Sequence, residues 1–558
     1  PMYVLQNLPT FVVFIGVLVF VHERGHFLVA KACDIKVLKF SLGFGPRLFG
    51  FTRGETEYVV SLLPLGGYVK MLGEMDEVEI HDGDRSRAFN NKPLYQRAAV
   101  VLAGPGFNFI LAYFVYVFLL AGSQTFGSTQ LGVVAEGYPA WNAGIRPGDR
   151  VVAIDGEAVA TWDELKGRIS NRPGQTLSIT YERDGKRTTT EVSTRSETQS
   201  NIFQELEQQG RVGVSLQYIK SKIAVVDPES PAAQAGLKTD DEIVKVGERS
   251  VEAWHEHRQA LLASPEGEAI DIQYRRDGDI KSTSFLPSER PPGVPAETFS
   301  SADAGAGYTG LVSKDVIVTD VEDETPAETI GLQPGDRLVS LGIKRAEAVH
   351  VQPIGAWEID LDAFSGVDAT SEFVLSYQRG RELITREMKL IERTEIDEFK
   401  NERTQYVFGA QHDREASSLY TFERVVGVHE AALASFGQVG AAMTIIAKGI
   451  SKMVQGDIPL DNMGGPIMLF YIAERSAKRG LEDFLGMMAI ISVNLGLVNL
   501  LPLPVLDGGT LMYLGIEAVR RRPPSMRVRE IANVVGLAIL MLLMGVVVKN
   551  DSFRFVLG

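Results

Sequence analysis

Apolar residues in this chain collect into a few long runs near its two ends, with a long polar middle between them. Residues 11–33, 98–121, 484–504 and 531–548 are each long enough to cross a hydrocarbon core of about 30 Å as a helix. The second run is interrupted by Gly104-Pro105-Gly106 and Asn108. The third carries Asn494, Asn499, Pro502 and Pro504, and the fourth has one polar side chain, Asn533. The first is too long, and too poor in basic flanking residues, for a cleaved leader. A further stretch, 431–453, has apolar residues at helical spacing with few charges. It suits either an amphipathic helix lying on a membrane face or a plain linking helix.

In the polar middle the pattern shortens to alternating strands and repeats. Pro139 and Asp149, Pro231 and Asp241, and Pro326 and Asp336 are ten residues apart, and successive copies follow at 92 and 95 residues. Each copy reads as a short helix closed by Gly, a turn, a strand (151–154, 243–246, 338–341) and later alternating strands. Units of this length are small domains rather than solenoid repeats. They resemble the bacterial, circularly permuted PDZ domain. That resemblance implies capture of a peptide as an added strand, its carboxylate held in a backbone nest. The nest segments are 210–213, 307–310 and, in the third copy, Phe408-Gly409. The copies either bind peptides or only filter and space. His255 and His257 fall on the helix of the second copy, where surface positions are expected.

Charge adds orientation. Lys and Arg crowd residues 31–97 and 520–529, whereas 1–10 and 122–145 hold none. By the positive-inside rule both ends and the polar middle face away from the cytoplasm. A net charge of −15 argues against a nucleic-acid partner, and the single Cys33 excludes an intrachain disulfide or a Cys-based zinc finger.

The candidate chemistry lies inside the first run. His22-Glu23-Arg24-Gly25-His26 places two imidazoles at i and i+4 on one helix face, where both can ligate one zinc, with a carboxylate beside them to serve as base. Ionisable groups inside a span are costly and therefore point to function. Zinc hydrolases use three protein ligands and an open position. Asp507, at the end of the third run, supplies the third ligand, because runs one and three both point inward and bring His22 and Asp507 to a similar depth. The alternative is that Asp507-Gly508-Gly509 merely ends the span. Pro502 and Pro504 exclude a regular helix there, and the chain after Asn499 is expected to be extended.

H-E-x-x-H at 22–26, N-x-x-P-x-P-x-L-D-G at 499–508, Gly43-Phe44-Gly45 and Gly104-Pro105-Gly106-Phe107-Asn108 together resemble the RseP-type bacterial site-2 proteases. The resemblance implies an intramembrane zinc metalloendopeptidase with one Zn2+ per chain. Its partners would be single-span membrane proteins (anti-sigma factors or remnant signal peptides) after a first protease has cut them. His22, His26 and Asp507 would hold the metal and Glu23 would be catalytic. Asn494, Asn499, Pro502 and Pro504 would contact the unwound substrate, as would Gly43, Gly45, Gly66, Gly67 and Tyr68 of a re-entrant β-hairpin element at 40–69. Strand 66–70 would pair with the substrate.

Two features depart from the pattern: three PDZ-like copies where two are familiar, and a charged Arg24, about 200° around the helix from His22 and so pointing away from the metal. The expected architecture is a polytopic α-helical bundle of about four spans, a membrane-associated β-hairpin element, and extracytoplasmic PDZ-like domains. Its segments are 1–33, 34–95 (re-entrant β), 96–122, 128–219, 220–313 and 314–412 (PDZ-like), 420–480 (amphipathic or linking helices), 484–509, 510–530 (basic loop) and 531–549. The expected location is a bacterial inner membrane, in contact with lipid, with the catalytic residues toward the cytoplasmic side. The competing readings are a catalytically inactive PDZ-bearing membrane scaffold or chaperone, and a zinc-dependent transporter or sensor.

Overall fold

Each long apolar run folds as a helix. The computed structural model describes residues 2–74, 80–201, 203, 205–265, 267–291, 307–345, 348–357, 361, 364, 371–396, 402–458 and 463–557. The chain divides into two units, one of Pro1–Gln124, Ile396–Glu402 and Arg424–Gly558, the other of Thr125–Glu395 and Arg403–Glu423.

The first unit contains α1 (Met2–Ala32), α2 (Leu94–Leu120), α3 (Val428–Gln455), α4 (Pro466–Arg479), α5 (Leu481–Asn499), α6 (Asp507–Arg520) and α7 (Met526–Ser552). Among the described residues five of these, α1, α2, α3, α5 and α7, are long and apolar enough to cross a membrane. That is one more than the sequence pattern predicts. The addition is α3, whose Val439, Ala442, Met443 and Ile446 pack on Ala112 of α2 and on Ala489 and Val493 of α5.

Three local expectations are corrected. First, Gly104-Pro105-Gly106 does not interrupt α2, which runs through it. Proline removes one donor, and a helix held among neighbours tolerates that loss. Second, residues 510–520 form α6 rather than a loop, because Leu511 and Leu514 pack with Val100 and Val101 of α2. Third, the chain between α5 and α6 is not extended. It coils through tight turns, with Leu503 N–H donating to Leu501 O (2.7 Å) and Leu506 N–H to Leu503 O (3.1 Å), and Val505 adopts φ +89°. A β-branched residue there is strained, which is unusual outside functional sites.

Two close approaches set the helix geometry. A Cβ at Gly25 of α1 would stand 2.4 Å from the Ala103 carbonyl oxygen of α2. The start of α4 lacks a local cap and takes Asp551 instead: the fully buried carboxylate accepts from the N–H groups of Gly465 (3.0 Å), Ile467 (2.9 Å) and Met468 (3.3 Å). A negative charge there complements the helix dipole.

Strands β1 (Val37–Arg53) and β2 (Thr56–Met71) form a curled hairpin. Residues 39–42 of β1 pair with 67–70 on one side and 57–60 on the other, while 49–53 pair with 56–60, so 66–71 lies at a margin of the sheet. At the turn, Glu55 accepts twice from Arg87 (2.8 and 2.7 Å) and once from Lys31 (2.6 Å), which holds its carboxyl down at about 2.

The second unit is built from three repeats, each with its own apolar core. Their four-stranded sheets share one order: Glu157–Ala158, Arg150–Ile154, Thr176–Arg183, Lys186–Ser193; then Arg249–Ser250, Glu242–Val246, Ile270–Arg276, Asp279–Phe285; then Ala348–Pro353, Arg337–Arg345, Glu372–Arg379, Glu382–Lys389. In each, the buried Asp of the ten-residue spacing accepts two bonds from an arginine at the far end of the third strand: Arg183 to Asp149, Arg276 to Asp241, Arg379 to Asp336. The same arginines donate to the carbonyls of Gly144, Gly236 and Gly331. The nest glycines also correspond. Gly213, Gly310 and Gly409 have φ of +78°, +78° and +88°, and a Cβ on them would strike Tyr138, Ser230 and Thr325.

The third repeat is tied back to the first. Ser417–Leu419 pairs antiparallel with Gln217–Ile219 and Tyr420 N–H donates to Leu216 O (3.1 Å), while Lys222 of the second repeat binds Asp413 (2.7 Å). His257 is a further correction: it is fully buried and lies 3.0 Å from Ser221 Oγ rather than on the surface.

Candidate metal centre

α1 is a continuous helix through 22–26, so His22 and His26 project from one face, one turn apart, and their Nε2 atoms lie 3.3 Å from each other. Asp507, the first residue of α6, brings Oδ2 to 3.3 Å from His22 Nε2 and 3.4 Å from His26 Nε2. Both histidines and Glu23 are buried, at 8%, 9% and 9% exposure. The turn that delivers Asp507 depends on its two glycines. A Cβ at Gly508 would stand 2.1 Å from Leu501 O, and one at Gly509 would stand 2.3 Å from Leu503 O.

These three atoms fit a metal ion. Tetrahedral ligands about 2.0–2.1 Å from zinc are separated by about 3.3–3.4 Å, which matches all three spacings. Asp507 Oδ2 is buried with no hydrogen-bond donor of its own among the described residues, as expected of an oxygen meant for a cation. Two imidazoles and one carboxylate are also a donor set that zinc hydrolases use.

The histidines are oriented from α2. His26 Nδ1 donates to the Val100 carbonyl oxygen at 2.8 Å. His22 Nδ1 lies 3.1 Å from the Asn108 amide. The atom placed there is Nδ2, but a histidine offering Nε2 to a metal keeps its proton on Nδ1, and with a metal bound the Asn108 amide would turn to present Oδ1. That orientation also gives the buried Oδ1 a partner. Asn108 is fully buried and its backbone carbonyl accepts from the Ser492 hydroxyl of α5 (2.8 Å). Between these two contacts sits Gly104, where a Cβ would stand 2.2 Å from His26 Nε2 and 2.8 Å from His22 Cε1. The G-P-x-x-N spacing is visible in the sequence, but its proximity to the histidines is not.

The β2 margin passes beside Glu23. A Cβ on Gly67 would meet Glu23 Cγ at 2.9 Å and Val19 Cγ1 at 3.0 Å. Residues 67–70 pair with β1 on one side, and among the described residues no ladder partner stands on the other. Tyr68 stacks on Phe44 with ring centres 6.1 Å apart, and Gly66, at φ +121°, lies against the same ring. Gly43 and Gly45, both at φ +88°, make the curl that carries Phe44.

Asn499 is brought to the centre, its amide 3.4 Å from His22 Nε2. Asn494 sits about 140° around α5 from it and is half-buried. Pro502 and Pro504 lie in the turns that lead to Asp507, and the Pro504 carbonyl would be 2.5 Å from a Cβ on Gly536 of α7. Arg24 is exposed and lies over the Phe20 ring at 5.6 Å, away from the donor set.

Comparison with known proteins follows this geometry. The model of peptidase family M50 matches residues 10–543. The Regulator of sigma-E protease RseP of Escherichia coli (strain K12) is 29% identical over 554 residues, covering 99% of each chain. Protease RseP of Yersinia pestis is 30% identical over 561 residues, covering 99% of this chain and 100% of that one. A Vibrio cholerae relative whose name includes zinc metalloprotease is 27% identical over 557 residues, covering 99% of each. A solved PDZ domain from Listeria monocytogenes aligns with 16% of this chain and 87% of its own at 19% identity. Its TM-score of 0.14 is too low to assign the repeats.

Proposed function

This chain belongs to peptidase family M50, and we propose that it is an intramembrane zinc metalloendopeptidase that cuts transmembrane segments of single-span proteins at the His22–His26–Asp507 centre. The observation that carries the reading is the convergence of these three donors beside Glu23, with the unpartnered margin of β2 passing Glu23 at Gly67. Zinc, when bound, supplies a Lewis acid for the scissile carbonyl and lowers the pKa of a water. Glu23 takes a proton from the attacking water and delivers it to the leaving amine. A transmembrane helix must open before its amides can react. The strand at 67–70 pairs the freed backbone groups and keeps them satisfied in lipid. Asn499 donates to the same segment, with Asn494 as a second contact.

Relatives named as regulators of sigma-E support an anti-sigma-factor class of substrate, presented after a first protease has removed the outer domain. Remnant signal peptides offer the same chemistry. The three repeats are read as PDZ-like domains on the extracytoplasmic side, and the catalytic residues as lying toward the cytoplasmic side. Because Ser417–Leu419 already occupies the edge at Gln217–Ile219, the first repeat suits exclusion by size better than capture of a peptide there.

The test is to incubate the detergent-solubilised protein with a panel of single-span substrates, with a zinc chelator and after zinc is restored. Cleavage that stops with the chelator and returns with zinc is expected. Cleavage indifferent to the chelator contradicts the proposal.

A further inference from the structure

Arg97 and Glu517 form a buried ion pair that the chemistry above does not use. Arg97 stands near the start of α2 and Glu517 near the end of α6. The guanidinium donates Nη2 to Oε1 at 2.6 Å and Nη1 to Oε2 at 3.1 Å, and its Nε donates to the Lys92 carbonyl at 3.1 Å. The two side chains are 10% and 16% exposed. Replacing a buried pair of this kind by apolar groups is often neutral or stabilising, so its best-attested use is to fix register.

The register in question is that of α6. Asp507 opens this helix and Glu517 lies ten residues later, about 15 Å along the axis. Leu511 and Leu514 pack on α2 between them, but apolar contact alone permits small slides and rotations. The bidentate fork does not. Its anchor is the helix that orients the other two donors, since Arg97, Val100, Gly104 and Asn108 fall on one face of α2 at steps of three, four and four residues. Val100 receives His26, Gly104 admits both imidazoles, and Asn108 holds His22.

We infer that Arg97 and Glu517 are positioning residues: the pair fixes the rotation and depth of α6 so that Asp507 meets the two histidines, and α2 thereby sets all three donors. The inference rests on the zinc reading above.

The test is competition for zinc against a chromophoric chelator, together with thermal unfolding of the metal-free protein and the kcat and KM for a single-span substrate. In Arg97→Met/Glu517→Leu no lone charge is buried. Its metal-free unfolding temperature should equal or exceed that of the parent, while zinc affinity falls up to about tenfold to a hundredfold, the loss that follows when a metal ligand's direct outer partner is removed. The kcat should fall with KM little changed. Parental zinc affinity and kcat in this variant would overturn the inference and leave the zinc reading standing. If the double variant does not fold, Arg97→Lys keeps the charge and loses the fork. It should still bind zinc several-fold more weakly, and parental affinity there overturns the inference equally. A parent protein that takes up no zinc overturns both.

Discussion

Asn108 carries no charge and lies outside the His22–His26–Asp507 donor set, yet from a fully buried position its amide contacts His22 Nδ1, where it would orient the ring for a metal. Asn108→Leu removes that partner at similar volume and leaves a donor on His22 unsatisfied. Zinc affinity should drop about tenfold to a hundredfold, measured by chelator competition, and an unchanged affinity would show that the contact does not orient the ring. Asn499 makes a different claim, since its amide faces the catalytic side of the same ring. Asn499→Ala should slow turnover strongly without loss of zinc or thermal stability. The defect should shrink on substrate spans carrying Gly or Pro, whose helices cost less to open. An equal defect on stable and weakened substrate helices would assign Asn499 to packing. The juxtaposition of His22 and His26 was legible in the sequence because i, i+4 spacing on a helix fixes geometry without tertiary information, and Asp507 only through the direction of its apolar run. The roles of Asn108, Gly104 and Gly25 were not legible, because each is set by how α2 lies across α1.

Among the elements, the β2 margin runs past Glu23 at Gly67. Gly67→Ala would place a methyl 2.9 Å from Glu23 Cγ and 2.7 Å from the Ser41 carbonyl oxygen. Relieving these contacts shifts Glu23 or the strand, and a misplacement of about 1 Å costs on the order of 100-fold in rate. The variant should therefore lose kcat while retaining zinc, read by cleavage and by metal analysis of the same sample. Loss of zinc and activity together would mean that the strand supports the centre rather than presenting substrate. The prolines of 502–504 excluded a helix, as the sequence implied, but they did not produce a strand. With few donors of their own, they leave nearby carbonyls to be met by N–H groups two or three residues away, and the chain coils. The α6 helix was hidden by the arginines at its end. The Arg–Asp latches of the three repeats were hidden by separations of 34, 35 and 43 residues, which no local pattern encodes.

For the whole molecule, the repeats form one tied array, because the strand after the third repeat returns to the edge of the first. Removing 128–412 would leave Ser417–Leu419 without its partner strand. The structure favours excising Thr125–Glu423 with a short polar linker. The shortened protein should cleave substrates that still carry a bulky outer domain, whereas the full chain should cleave only those already shed. If unshed substrates remain intact while shed ones are processed by both proteins, exclusion by size is wrong. The repeats of the polar middle and four of the five membrane-capable helices were legible from hydropathy and spacing, whereas α3 read as an amphipathic or linking helix. The return of the chain was not, since Gln217–Ile219 and Ser417–Leu419 lie about 200 residues apart in the sequence.

The most direct test of the central claim is made on Glu23→Gln, which keeps the size of the side chain and removes its basicity. Metal analysis and cleavage of a shed single-span substrate are measured on the same preparation. A catalytic Glu23 predicts close to one zinc per chain, as in the parent, with cleavage reduced by several orders of magnitude. A Glu23→Gln protein that holds its zinc and still cuts at a rate near the parent's would contradict it.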